Sequence, residues 1–165
     1  MTKIITSIVD RLESLGESIS FAESCTGGRV AAAFTALAGV SSVFHGSCVT
    51  YSNEIKHLWL GVDSDILEKY GAVSSECVEQ MLGGIVHKAS SEHAIAVSGV
   101  AGPTGGTLQK PVGTVYIGVK IYDQIVVERC SFSGDREQIQ RASTEHAITL
   151  FERIFTKYLK SLDKQ

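Results

Sequence analysis

Ser24 and Cys25 stand side by side in "AESCTGG" (22–28), a hydroxyl and a thiol followed by a second hydroxyl, Thr26, and by Gly27 and Gly28. A short alternating segment precedes the stretch and a run of small, helix-forming residues follows it. It therefore reads as a strand end turning into a helix start, which is where α/β folds place their ligands. Free N–H groups at a helix start attract an oxyanion or a phosphate, and the glycines admit close backbone approach. The pattern is not a P-loop, since no Gly-Lys-Ser/Thr follows, and not a Gly-x-Ser-x-Gly elbow. Taken alone, these residues leave three roles open: nucleophilic catalysis, anion binding, and plain capping of a helix by Ser24 or Thr26.

Three further segments offer partners. "TYSNEIK" (50–56) sits at another strand end and carries Tyr51, Ser52, Asn53 and Lys56. A surface lysine is normally just solvated. A lysine in a dry pocket beside a serine loses basicity, and its neutral amine can take the hydroxyl proton. "SGVAGPTGGTLQKPVGT" (98–114) holds both prolines of the chain and five of its sixteen glycines, among them Gly99, Gly102, Gly105 and Gly106. A strand, a glycine-rich loop and a strand make a candidate ligand wall. "SGDRE" (133–137) puts Arg136 near a helix N-terminus, where a cation is electrostatically misplaced unless an anion binds there. Arg141 is a second candidate for that anion; an exposed Arg136 pairing with Asp135 or Glu137 is the plainer alternative.

The elements that must position these residues follow from periodicity. Residues 4–15 form an amphipathic helix stopped by Gly16. Residues 18–22 read as a strand, about 28–38 as a helix, 45–52 as a strand, 53–61 as a helix capped by Asn53, and 63–71 as a short helix. Ser74 caps the next helix, which runs to Ala89; Gly83 and Gly84 inside it imply a close neighbour. Residues 93–99 form a strand buried on both faces. Residues 113–123 and 125–133 pair as a hairpin turning at Asp123-Gln124. Asp135 and Gln138 make a capping box for the last helix, and the terminal "SLDKQ" is expected to fray. This order predicts one domain over 1–165, a three-layer α/β/α fold on a mostly parallel mixed sheet of about five strands with one antiparallel.

Bulk properties narrow the function. The 165 residues carry 18 acids against 15 bases, a net charge of −3, which argues against non-specific nucleic-acid binding. No apolar run approaches the roughly 20 residues of a membrane span. The N-terminus has no signal-peptide cleavage pattern, so a cytoplasmic location is expected. Cys25, Cys48, Cys77 and Cys130 are scattered, and the five histidines form no metal-binding pattern; free thiols and no metal or cofactor are the expectation. A homodimer is the default assembly, because two-fold oligomers are the commonest.

Taken in order, "AESCTGG", "TYSNEIK", "LGV" (60–62), "GAVS" (71–74), "SGVAGPTGG", "KPVGTVYIGV" (110–119) and "FSGDR" (132–136) resemble the CinA C-terminal-domain family over nearly the whole chain. Val100 and Thr104 depart from its commoner residues, Ile and Asp or Gly, and neither change is expected to matter to the chemistry. The resemblance implies a three-layer α/β/α domain with a five-stranded mixed sheet. Many members carry an additional N-terminal domain, and this chain looks like the stand-alone form. The best-understood members are bacterial nicotinamide mononucleotide deamidases. The resemblance therefore implies hydrolysis of the nicotinamide carboxamide to nicotinate mononucleotide and ammonia, in pyridine-nucleotide salvage. It also implies a Ser–Lys dyad, a tyrosine in the site and an essential arginine, which fall on Ser24, Lys56, Tyr51 and Arg136.

On that basis Ser24 is the expected nucleophile, Lys56 its base and the 26–28 turn the oxyanion cradle. Arg136, with the glycine-rich loop, is the expected phosphate holder. Cys25 has no histidine partner in reach of sequence logic and is expected to pack as a small hydrophobe. Two rivals stand beside this: a catalytically inactive nucleotide-binding paralog, and a competence- or DNA-damage-linked interaction domain. Neither needs Lys56 and Tyr51 together.

Overall fold

The chain is described by a computed structural model covering residues 1–162. Among these residues six α-helices and five strands are formed: α1 (Thr2–Leu15), β1 (Ile19–Glu23), α2 (Arg29–Thr35), β2 (Phe44–Val49), α3 (Asn53–Leu60), α4 (Ser64–Lys69), α5 (Ser75–Ala89), β3 (His93–Gly99), β4 (Thr114–Ile121), β5 (Gln124–Ser131) and α6 (Arg136–Leu162). The sheet order is β2-β1-β3-β4-β5. β1 pairs in parallel with β2 and β3, while β4 is antiparallel to both β3 and β5. One strand of five therefore runs against the others, as the sequence predicts. The carboxyl ends of β1, β2 and β3 share one edge, and α6 starts just after β5 ends at that same edge.

Strand alternation divides the core. Ile19, Phe21, Ile95, Val97, Val115, Ile117 and Val119 face α1, α2 and α6. Ala22, Ala94 and Ala96 face α5 and the end of α3. Small residues occupy the second face because α5 lies close to it: a Cβ on Gly118 would come within 2.6 Å of the Val78 side chain. Bulky residues fill the first face, where Phe21 stacks on Phe44 and packs tilted against Phe34, with ring centroids 4.8 Å apart in each pair.

Local chemistry sets the boundaries. Gly16 ends α1 in the left-handed region at φ 68. Ser74 Oγ accepts from the Cys77 N–H at the start of α5. Asp135 and Gln138 exchange reciprocal bonds of 2.8 and 2.9 Å as the capping box requires. Several boundaries differ from expectation, four of them instructively. α2 is shorter, since Leu37 N–H bonds back to Phe34 in a tighter turn and Gly39 opens a separate 3-10 turn. β2 stops at Val49. Ser52, not Asn53, caps α3, its Oγ accepting from the Ile55 N–H. The hairpin turns at Tyr122-Asp123, one residue early, with Tyr122 at φ 50 and its ring packed edge-on against His93. Of the terminal "SLDKQ", Ser161 and Leu162 are helical, and 163–165 lie outside the described residues. Among the described residues no helix is long and apolar enough to cross a membrane.

The adjacent glycines of α5 behave differently. A Cβ on Gly84 would sit 1.9 Å from the Leu60 carbonyl oxygen, whereas one on Gly83 meets nothing within 4 Å. Gly83→Ala should therefore stabilise the protein by about 0.5–1 kcal/mol through helix propensity. Gly84→Ala should destabilise it by about 1–3 kcal/mol, because α3 and α5 must separate. Paired urea unfolding curves check both signs.

Candidate active site

β1 delivers Ser24 to the sheet edge, and the Ser24 N–H continues the ladder to Val97 O at 2.9 Å. From α3, one turn in, Lys56 points back under β1 and is 1% exposed. Its Nζ lies 3.0 Å from Ser24 Oγ and donates to Thr50 O at 2.7 Å. Burial holds the Lys56 ammonium below the ordinary lysine range; the nearby Cys77 and Cys25 thiols oppose this more weakly. A neutral amine has two N–H groups and one lone pair. With one N–H committed to Thr50 O, the lone pair is available to the Ser24 hydroxyl. The geometry is that of a nucleophile and its base.

Burial dominates at Cys25 too and pushes its thiol up to about 12, against weaker opposing effects from a backbone hydrogen bond and Lys56. The thiol is therefore protonated at neutral pH, and its residue is 4% exposed in the core. Gln140 of α6 fixes the turn by donating to Cys25 O at 2.7 Å.

Glu23 governs the next turn, and sequence reasoning missed it. The side chain is fully buried. Its Oε2 accepts from Thr26 Oγ1 at 2.8 Å and from the N–H groups of Gly28 and Val30 at 3.0 and 3.1 Å. Its Oε1 accepts from the Ala31 N–H at 2.9 Å and from Ser47 Oγ at 3.3 Å. The start of α2 is thus filled by an internal carboxylate. Gly27 N–H is also taken, by Ser24 O at 3.0 Å. The oxyanion role expected of Gly27 and Gly28 is accordingly closed to their N–H groups, and the Thr26 hydroxyl is likewise bound to Glu23. Among the described residues the Thr26 N–H makes no backbone hydrogen bond, and the Cys25 N–H meets only its own thiol. A glutamate at the last position of a strand, directly before a glycine-rich helix start, is the signal that points to this bracing.

A cleft of about 250 Å³ opens over Ser24 and Lys56. Tyr51, Asn53 and Arg136 line it, as do Gly99, Gly102 and Gly105 of the long loop. Ala72, Val73, Ser98, Val100, Ala101 and Thr104 also line it without having been singled out as site residues. Ser98 Oγ donates to Ala72 O at 2.7 Å, which ties the "GAVS" segment to β3. Arg136 donates to Gly102 O at 2.6 Å and to Tyr51 Oη at 2.5 Å. Its guanidinium is thereby held across the mouth of the cleft, and Tyr51 is 60% exposed there.

Three expected binding residues lie elsewhere. Arg141 lines a separate hollow with Arg29, Ala33 and Glu145; five residues beyond Arg136, it is rotated about 140° around the helix. Ser52 has its hydroxyl committed to capping α3. Gly106 shapes the loop instead, with room for no side chain against Val112 N at 2.7 Å.

Comparison with known proteins places this arrangement. The family model for the CinA C-terminal domain matches residues 1–155. A nicotinamide-nucleotide amidohydrolase PncC from Enterobacter agglomerans is 44% identical over 147 residues, spanning 88% of this chain and 90% of that one. A CinA-like protein from Thermosipho melanesiensis is 47% identical over 143 residues, 86% of this chain and 36% of that protein. The chain thus spans about a third of the length of several curated relatives it matches. The crystal structure of competence damage-inducible protein A from Klebsiella pneumoniae superposes with a TM-score of 0.90 at 34% identity, covering 94% of this chain and 96% of that one. The chain belongs to the CinA C-terminal domain family.

Proposed function

We propose that the protein is an amidohydrolase that converts nicotinamide mononucleotide to nicotinate mononucleotide and ammonia, in pyridine-nucleotide salvage, through a Ser24–Lys56 dyad. The observation that carries this reading is the buried Lys56 amine 3.0 Å from Ser24 Oγ. The likeness to a nicotinamide-nucleotide amidohydrolase over most of both chains supports the substrate class.

In this mechanism Ser24 Oγ attacks the carboxamide carbon while its proton passes to the lone pair of Lys56 Nζ. The carbonyl oxygen becomes an oxyanion stabilised by the N–H groups of Cys25 and Thr26. On collapse the C–N bond breaks, and the Lys56 ammonium gives its proton to the departing nitrogen, which leaves as ammonia. Water then attacks the Ser24 ester. Lys56 takes the water proton and returns it to Ser24 Oγ as the acid product leaves. Arg136 binds the ribose phosphate at the mouth. The Tyr51 hydroxyl is directed at Arg136, so Tyr51 orients that cation and offers its ring to the pyridinium. The scheme uses only the chain's own groups.

Incubation with nicotinamide mononucleotide, nicotinamide riboside and free nicotinamide, with ammonia followed, tests the reading. Rapid ammonia release from the mononucleotide, with a much higher KM for the riboside, is the expected result. Equal rates with all three would contradict the phosphate-binding role of Arg136, and no release from any would contradict the activity.

The lowered pKa of Lys56 also fixes a pH dependence. Activity needs the neutral amine, so kcat should rise with pH through the lowered value and level off above it. Folding is linked in the same direction. Between that lowered value and the ordinary lysine value of 10.5, the unfolded chain binds the extra proton and the folded one does not. Stability from this group therefore increases as pH rises across that window. In Lys56→Met, urea midpoints measured against pH should lose this rise.

A further inference from the structure

The side chains of Glu128, Cys130 and His146 bring a carboxylate oxygen, a thiol sulfur and an imidazole nitrogen within 4.8 Å of one another, outside the cleft. Glu128 and Cys130 are two apart on β5 and so share the face turned to α6, which supplies His146. His146 Nε2 lies 2.8 Å from Glu128 Oε2. The Phe132 ring packs edge-on against the imidazole with centroids 6.0 Å apart and limits its rotation. Arg153 pairs with Glu128 Oε1 from a side chain 59% exposed. Surface ion pairs alone would account for Glu128, His146 and Arg153, but they give no place to a thiol in the same cluster.

We propose that Glu128, Cys130 and His146 form a binding site for a thiophilic divalent cation of the zinc class. Donors at zinc bond lengths in a tetrahedral shell lie roughly 3.3–3.8 Å apart; the widest separation, up to 4.8 Å, has to close by about 1 Å, while the hydrogen-bonded His146–Glu128 pair at 2.8 Å opens slightly. The mixed nitrogen, sulfur and oxygen set suits zinc over magnesium or calcium. On binding, the Cys130 thiol gives its proton to solvent and the thiolate joins the metal. Water takes the fourth position, and Arg153 swings outward at little cost. A histidine-pair pattern in the sequence does not find this site, because two ligands come from a strand and the third from a helix.

Titration of the full chain with cobalt(II), read by absorption, tests it. We expect one equivalent to bind at micromolar concentration with a thiolate-to-cobalt band in the near ultraviolet, erased by added zinc. Cys48→Ser should keep the band, Cys130→Ser should abolish it, and His146→Ala should weaken binding by at least about 100-fold. Arg153→Ala should tighten binding up to about fivefold, because it frees Glu128. Circular dichroism and urea unfolding midpoints show whether each variant is folded. Absence of the band in the native chain, its survival in folded Cys130→Ser or His146→Ala, or weaker binding in Arg153→Ala overturns the proposal. These outcomes are independent of whether the deamidase reading holds.

Discussion

Replacing Ser24 with alanine is expected to lower kcat for ammonia release from nicotinamide mononucleotide by about 1,000-fold or more while the unfolding free energy stays within about 1 kcal/mol of the native protein's. The fall is large because the attacking oxygen itself is removed. The stability change is small because the Ser24 hydroxyl contacts only the Lys56 amine, which keeps its bond to Thr50 O. Lys56→Ala should cost a similar factor, and Ser24→Ala/Lys56→Ala little more than either alone. Groups that act as one unit lose their effect together. A double variant whose losses multiplied fully would show two independent roles and break the dyad. Cys25→Ala offers the contrast: its thiol, pushed up to about 12, supplies no thiolate, so activity should persist and only packing suffer.

The second large effect is on the scaffold. Glu23→Ala is expected to destabilise the protein by about 3–5 kcal/mol, the cost typical of breaking a buried charged network and leaving its partners orphaned. For a chain of this size that corresponds to a fall in Tm of roughly 10–15 °C. Three backbone N–H groups at the start of α2, with the Thr26 and Ser47 hydroxyls, would lose their shared acceptor. Glu23→Gln keeps the shape but points an amide donor at those donors, so it should recover only part of the loss. Activity should fall as well, because the same carboxylate fixes the 24–28 turn that presents Ser24. Thermal unfolding of the two variants separates the roles of size and charge. A Glu23→Ala protein as stable as the native one would show that the turn is held by other contacts.

How far the sequence reveals this site depends on the kind of signal each residue carries. Ser24 and Lys56 are 32 residues apart, yet each stands where a strand gives way to a helix. Parallel strands bring such junctions to one edge, so their meeting is legible in outline. Arg136 is legible for a related reason: a cation at a helix start asks for a partner, and it finds Gly102 O and Tyr51. Glu23 is easily missed because a single acid at a strand end looks solvated; its place directly before a glycine-rich helix start hints at bracing, and the fold shows it pointing inward onto that helix. Arg141 misleads because helical phase, not proximity in sequence, decides which side of α6 faces the cleft. The hairpin boundary shifts by one residue because Tyr122 tolerates a left-handed turn when its ring packs against His93, a contact 29 residues distant in sequence. Gly84 is half legible: the pair of glycines announces a close approach, but the Leu60 carbonyl it accommodates is visible only in three dimensions.

The central claim is that Ser24 carries the acyl group. It is tested most directly by mixing the protein with nicotinamide mononucleotide, quenching in acid within the first turnover, and measuring the mass of the peptide that contains residues 22–29. The account predicts a nicotinate mononucleotide ester on Ser24 of the native protein and none in Ser24→Ala. Ammonia released in the same interval with that peptide unmodified, or the adduct found on Cys25, would contradict it.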